Sequence, residues 1–193
     1  MFVVFEGLDG SGTSTQLERI GRWLGCVTTF EPTNGPIGSL IREQLKEGSF
    51  SNETMALLFA ADRKEHNKQI KIWLAENRTV VCDRYIYSSL AYQKALGVNA
   101  DLLYKINEDF IKPDVLIYFK IDVDTCINRI KDRDKDTFEN VGVQTYVKDE
   151  YEKVLVNYPH NIVDASRPEQ EVTIQLQKYI TDGLMRTVTS YVY

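Results

Sequence analysis

Short apolar runs at Phe2–Phe5, Val27–Phe30, Thr79–Cys82, Val115–Phe119 and Asn161–Val163 punctuate the chain, and longer amphipathic segments lie between them. Several of these runs are continuously apolar instead of alternating, which is the pattern of strands covered on both faces. Strands that alternate with helices imply a parallel sheet. The spacing predicts helices near 14–24, 37–47, 53–76, 86–111, 124–133, 143–155 and 169–186. The expected fold is therefore α/β, one domain over residues 1–193 with a parallel five-stranded sheet flanked by helices on both faces. A chain of 193 residues is long enough to bury a sizeable core, and no repeat or Pro/Gly-rich linker divides it. Ligands of such sheets sit at the carboxyl ends of the strands. Function is expected just after residues 5, 30, 82 and 119.

The first of these places carries the clearest motif. Gly7-Leu8-Asp9-Gly10-Ser11-Gly12-Thr13-Ser14 follows the first strand and fits G-x-x-x-x-G-K-[ST] at every fixed position but one, where Thr13 replaces lysine. Such a loop turns successive backbone N–H groups inward and cradles phosphate at a helix N-terminus. Ser14 is placed to hold Mg2+ through its hydroxyl, and Asp9 to act on the water shell of that ion. A Gly-rich strand-to-helix turn capped by Thr13 or Ser14 is the plain structural alternative. Lysine at this point normally counters charge that develops on the transferred phosphoryl group. Its uncompensated loss would add roughly 3–4 kcal/mol to a barrier, so an active enzyme needs another cation there.

Composition excludes more than it names. The net charge is −5, with 23 Lys and Arg against 28 Asp and Glu, which argues against sequence-independent nucleic-acid binding. The longest apolar run, Met55–Ala61, is far too short for a membrane span. Cys26, Cys82 and Cys126 are odd in number and have no metal-ligand spacing, so buried reduced thiols are expected. With no basic leader before Phe2, the expected location is cytoplasmic.

At the third strand end, Asp83 suits a magnesium role and Arg84 a bidentate phosphate clamp. Beyond them Ser88, Ser89, Tyr92 and Gln93 share one face of a helix by their i, i+3 and i+4 spacing. Here the chain resembles the thymidylate kinases, P-loop enzymes that phosphorylate dTMP. Phe5–Gly12 followed by Ser14-Thr15-Gln16 is similar to the first motif of that family, and Asp83–Gln93 to its second. Glu31-Pro32, Ile41-Arg42 and Leu57–Arg63 resemble its acceptor-binding segments, and Val163–Ser166 the turn bordering the adenine.

The resemblance implies a P-loop nucleoside monophosphate kinase-like fold, ATP as phosphate donor, dTMP as acceptor and a homodimer to which Met55–Ala61 contributes. It implies ATP contacts from Gly7 through Thr15, from Arg129 and from Arg167. Phe59 would stack on thymine, Arg63 would reach a ring carbonyl, Ser89 with Gln93 would lie near the base edge, and Ser88 would join them in binding the substrate. Tyr92 would press on the sugar, Glu31 would lie near the sugar and metal, and Arg42 with Arg84 would hold the acceptor phosphate. Phe59 and Arg63 also have plain readings, as a core aromatic and as a solvated helix end.

A lid is expected at about 130–145. There Asp136-Thr137-Phe138-Glu139 stands where the family often has Asp-Arg-(Phe or Ile)-Glu, so a second basic residue is missing. Two alternatives are weighed: another nucleotide kinase of the same fold, and a nucleotide-binding protein whose catalysis is weakened by Thr13. Arg133, with Lys135, is the candidate source of the missing charge on lid closure, and it joins Asp9 and Arg84 as a catalytic candidate. Arg133→Ala is then expected to cut turnover far more than it weakens dTMP binding. Steady-state kinetics beside dTMP titration measures this, and unchanged turnover refutes the compensation.

Overall fold

The computed structural model describes residues 1–131 and 141–190. Strands β1 (Phe2–Gly7), β2 (Val27–Phe30), β3 (Val80–Asp83), β4 (Val115–Lys120) and β5 (Asn161–Asp164) form one sheet in the order β2-β3-β1-β4-β5. Every pairing is parallel. The three inner strands are buried almost throughout, as their unbroken apolar character predicts. β2 and β5 are edges and leave Phe30 and Ile162 partly exposed. Both-face burial therefore holds only for the centre.

Register sets the functional edge. Phe5 of β1 and Phe30 of β2 both stand opposite Asp83 of β3, and Gly7 stands opposite Phe119 of β4. The segments that leave β1, β2 and β3 therefore emerge side by side.

The described helices are α1 (Thr13–Leu24), α2 (Pro36–Glu47), α3 (Asn52–Ala75), α4 (Ile86–Ala95), α5 (Ala100–Asn107), α6 (Val123–Ile130), α7 (Val141–Leu155) and α8 (Glu169–Ser190). The single helix expected over 86–111 is two. Gly97 adopts φ +85° after α4, and the Asn99 side chain accepts the Leu102 amide to start α5. A left-handed glycine followed by an Asn cap outweighs continuous apolar periodicity. The helix expected over 124–133 ends at Ile130. Of the predicted lid, residues 141–145 are the first turn of α7, and Arg133, Lys135, Asp136, Thr137 and Glu139 lie outside the described residues.

α7 packs along α4, and their aromatic residues lock the layer to the sheet. The Tyr151 ring lies 6.0 Å from Tyr92 and 5.3 Å from Tyr118, and Phe5 lies 5.3 Å from Phe119. No helix among the described residues is long and apolar enough to cross a membrane.

Cys82 and Cys126 are fully buried, whereas Cys26 is half-buried. Burial pushes the Cys126 thiol from its ordinary 9.0 up to about 12 and the Cys82 thiol well above its ordinary value. A folded pKa above the unfolded one stabilises the fold fully below pH 9, and that contribution is lost as pH rises from 9 toward 12. Both thiols are expected to resist iodoacetamide at pH 8 in the native protein and to react readily in urea, as followed by intact mass.

Candidate functional site

The loop after β1 is shaped by its glycines. Gly10 and Gly12 take φ +86° and +94°, a region that side chains disfavour. At Gly10 an added Cβ would also sit 2.6 Å from the Cys126 carbonyl oxygen of α6. No side chain fits there, so a cation cannot be delivered from residue 10. Residues Leu8 through Thr15 line a cavity of about 360 Å³ together with Arg84, Arg129 and Arg167. Gly7 lies just behind it and gives its carbonyl to Arg84. Arg129 spans the opening, donating to the carbonyls of Gly10 and Ala165 at 3.3 and 3.2 Å. Arg167 pairs with Asp164 at 3.3 Å on the outer rim. Thr13 lines the same cavity and is buried where the motif has its lysine.

Ser14 donates its hydroxyl to Asp83 Oδ2 at 2.7 Å, while Asp83 Oδ1 is buried with no hydrogen-bond partner among the described residues. A hydroxyl beside a carboxylate with an unused buried oxygen suits a hard divalent cation. Among the described residues no three His, Cys, Asp or Glu side chains cluster. A cation here would therefore complete its shell with phosphate and water oxygens, as Mg2+ does.

A second cavity, of about 270 Å³, adjoins the first. Glu31, Arg42, Phe59, Arg63, Arg84, Ser88, Ser89, Tyr92 and Gln93 all line it, so the structure brings together every residue the sequence assigned to the acceptor. Phe59 is half-buried on α3 and borders the cavity. Arg63 is 1% exposed, not a solvated helix end. Its Nε donates to Glu31 at 2.7 Å, Nη1 to Asn107 at 2.5 Å, and Nη2 to the Tyr85 carbonyl and the Ser89 hydroxyl. Glu31 also meets His66 Nδ1 at 2.9 Å, and His66 Nε2 lies 2.7 Å from the Thr29 hydroxyl. Asp62 anchors the following loop by accepting the Thr33 amide and hydroxyl. Arg42 donates to the Pro32 carbonyl at 2.9 Å. Gln93 is 2% exposed, and its Oε1 has no partner among the described residues.

Asp9 and Arg84 border both cavities. Arg84 has φ +69°, a left-handed conformation for a bulky residue. Its Nη2 donates to Asp9 Oδ1 at 2.6 Å and its Nη1 to the Gly7 carbonyl at 3.0 Å, and the guanidinium lies 4.9 Å over the Tyr92 ring. Asp9 Oδ2 accepts from Tyr92 and from Gln144 of α7. Burial holds the Tyr92 phenol well above its ordinary pKa, so it stays an O–H donor.

Sequence reasoning assigned no role to Glu6, Tyr151 or Gln144. The one local signal was a carboxylate ending an apolar strand at residue 6. Glu6 is fully buried and accepts from Tyr85, Ser88 and Tyr151. Burial raises its carboxyl above the ordinary 4.5, against the lowering effect of those donors and of the Arg84 charge.

Two nucleotide-sized cavities that meet at one arginine, over a phosphate nest on a parallel sheet, define a P-loop nucleotide kinase. A family model described as thymidylate kinase matches residues 5–176. The chain is 41% identical over 172 residues to a probable thymidylate kinase of Methanocaldococcus jannaschii, an alignment covering 89% of this chain and 90% of that one. It is 39% identical over 194 residues to a probable thymidylate kinase of Thermococcus kodakarensis, covering 91% and 95%. The solved structure of thymidylate kinase from Candida albicans, an enzyme of broad substrate specificity, superposes with a TM-score of 0.85 at 28% identity over 94% of this chain and 91% of that one. The chain belongs to the thymidylate kinase family.

Gly10→Ala is expected to destabilise the fold by about 2 kcal/mol or more, from the positive φ and the carbonyl contact together. It should also weaken ADP binding. Urea unfolding beside ADP titration reads both.

Proposed function

We propose that the chain transfers the γ-phosphoryl group of ATP to dTMP, giving dTDP and ADP. The observation that carries this reading is the shared wall: Asp9 and Arg84 face the donor and the acceptor cavity alike, so one guanidinium meets phosphates from both sides. Phosphoryl transfer needs in-line alignment and charge neutralisation more than covalent chemistry. The nest of residues 7–15 binds the ATP phosphates, Arg129 and Arg167 close the donor side, and Arg42 with Arg84 grips the acceptor phosphate. Phe59 stacks on thymine. The unpartnered Gln93 Oε1 suits a ring N–H, and Arg63 with Ser89 fixes the pocket wall beside a ring carbonyl. Glu31 shapes the sugar side through Arg63 and His66, and Tyr92 crowds the sugar face.

Ser14 and Asp83 are the residues that would hold Mg2+, which supplies charge neutralisation at the phosphates when bound. In place of the missing lysine, Arg84 and Arg129 supply positive charge from the described residues, and Arg133 with Lys135 from the segment between α6 and α7. The chain acts in the cytoplasm as a homodimer, a reading supported by family membership and by Leu57 and Ile72, half-exposed on α3.

A coupled ADP-release assay across nucleoside monophosphates tests the substrate. dTMP is expected to give the highest kcat/KM, and a higher value for another monophosphate sinks the assignment. Ser14→Ala and Asp83→Asn are each expected to raise the Mg2+ concentration for half-maximal activity at least about tenfold.

A further inference from the structure

Glu6 ends β1 one residue before the phosphate loop, and its two oxygens have different partners. Oε1 accepts the amides of Tyr85 and Ser88 at 2.9 and 3.2 Å. Tyr85 is the N-cap of α4 and supplies no side-chain cap, and Ser88 lies in the first turn of that helix. Oε2 accepts the Ser88 hydroxyl at 2.5 Å and the Tyr151 hydroxyl at 2.9 Å. The Ser88 and Tyr151 hydroxyls also lie 2.8 Å apart, a contact in which either can donate; with the Ser88 proton on Glu6, the Ser88 oxygen receives Arg84 Nη1–H at 3.2 Å. A directed chain results, from Arg84 to Ser88 to Glu6. Tyr151 stands on α7 and also reaches the Gly7 carbonyl, at 3.3 Å.

We propose that Glu6 is a positioning residue for phosphoryl transfer: through Ser88 its Oε2 fixes the guanidinium plane of Arg84, and through Tyr151 it ties that plane to α7. The inference rests on the kinase reading above. Arg84 needs such an anchor because a planar fork acts on phosphate only in one orientation. Asp9 alone holds one Nη, which leaves the plane free to rotate about that contact. The Ser88 and Gly7 oxygens on the other Nη remove that freedom. Glu6 touches no substrate, so its effect belongs to the geometry of Arg84 and not to ground-state binding.

A pure helix-capping role makes a different prediction, because the two oxygens separate the duties. Glu6→Gln retains one acceptor oxygen, which the Tyr85 and Ser88 amides claim, and presents an NH2 group to hydroxyls that need an acceptor. Thermal unfolding should then shift little while Arg84 loses the Ser88 half of its Nη1 anchor and keeps only the Gly7 carbonyl there. The expected result is a kcat lowered at least about tenfold with KM for dTMP changed less than about threefold. Arg84→Lys removes the fork that the chain orients, so adding Glu6→Gln to it should cost little more. Tyr151→Phe, which leaves the Tyr85 and Ser88 amides on Glu6, should lower kcat in the same direction and also fall short of additivity with Glu6→Gln.

A wild-type kcat in Glu6→Gln, or losses that add in full to those of Arg84→Lys, overturns the inference, and Tyr151→Phe decides it if Glu6→Gln fails to fold. A wild-type chain that does not turn over dTMP overturns the kinase reading, and the Glu6 inference with it. A wild type that turns over beside unimpaired variants overturns the Glu6 inference alone.

Discussion

The ion pair between Asp9 and Arg84, 2.6 Å long and only partly screened from solvent, is the contact on which the two cavities depend. It joins the loop after β1 to the residue after β3, and the parallel register of those strands brings the partners within reach. Arg84 accepts an unfavourable left-handed backbone to make it. The Arg84 amide donating to the Phe5 carbonyl at 2.8 Å offsets part of that cost. Without the pair, the two cavities would be neighbours with no common charged group.

Charge is handled differently in the second cavity. Glu31, Arg63 and His66 are almost fully buried and satisfy one another. A buried pair of this kind adds modest net stability, but removing one partner strands the other at a cost of about 3–5 kcal/mol. The pocket wall is therefore rigid, and its outward-facing contribution comes from less committed groups such as Phe59 and Gln93. A net charge of −5 says nothing about this arrangement, since the arginines that matter are a small minority of the charged residues and each is aimed by specific neighbours.

How much of this was legible in the sequence depended on distance along the chain. Gly7–Ser14, Asp83–Arg84 and the order of strands and helices are written in short segments, where backbone sterics and periodicity act locally. The residues assigned to the acceptor came from family resemblance, and the structure gathers them into one cavity. The engaged state of Arg63 was hidden because its partners come from β2's end, α4 and α5. Tyr151 and Gln144 lie 145 and 135 positions from the residues they contact, and no helical pattern announces such a partner. The break at Gly97 was visible as Gly followed by Asn, yet the apolar rhythm on both sides masked it.

The contact between Gly10 and the Cys126 carbonyl also limits how this enzyme can change. A cation cannot be installed in the loop by substituting residue 10 unless the backbone of α6 moves first. Position 13 carries no such barrier, because Thr13 already lines the cavity with a side chain. Recovery of the missing charge is thus open by a single replacement at one loop position and closed at its neighbour three residues away. The packing of one helix against one glycine decides which mutational paths lead toward a more basic donor site.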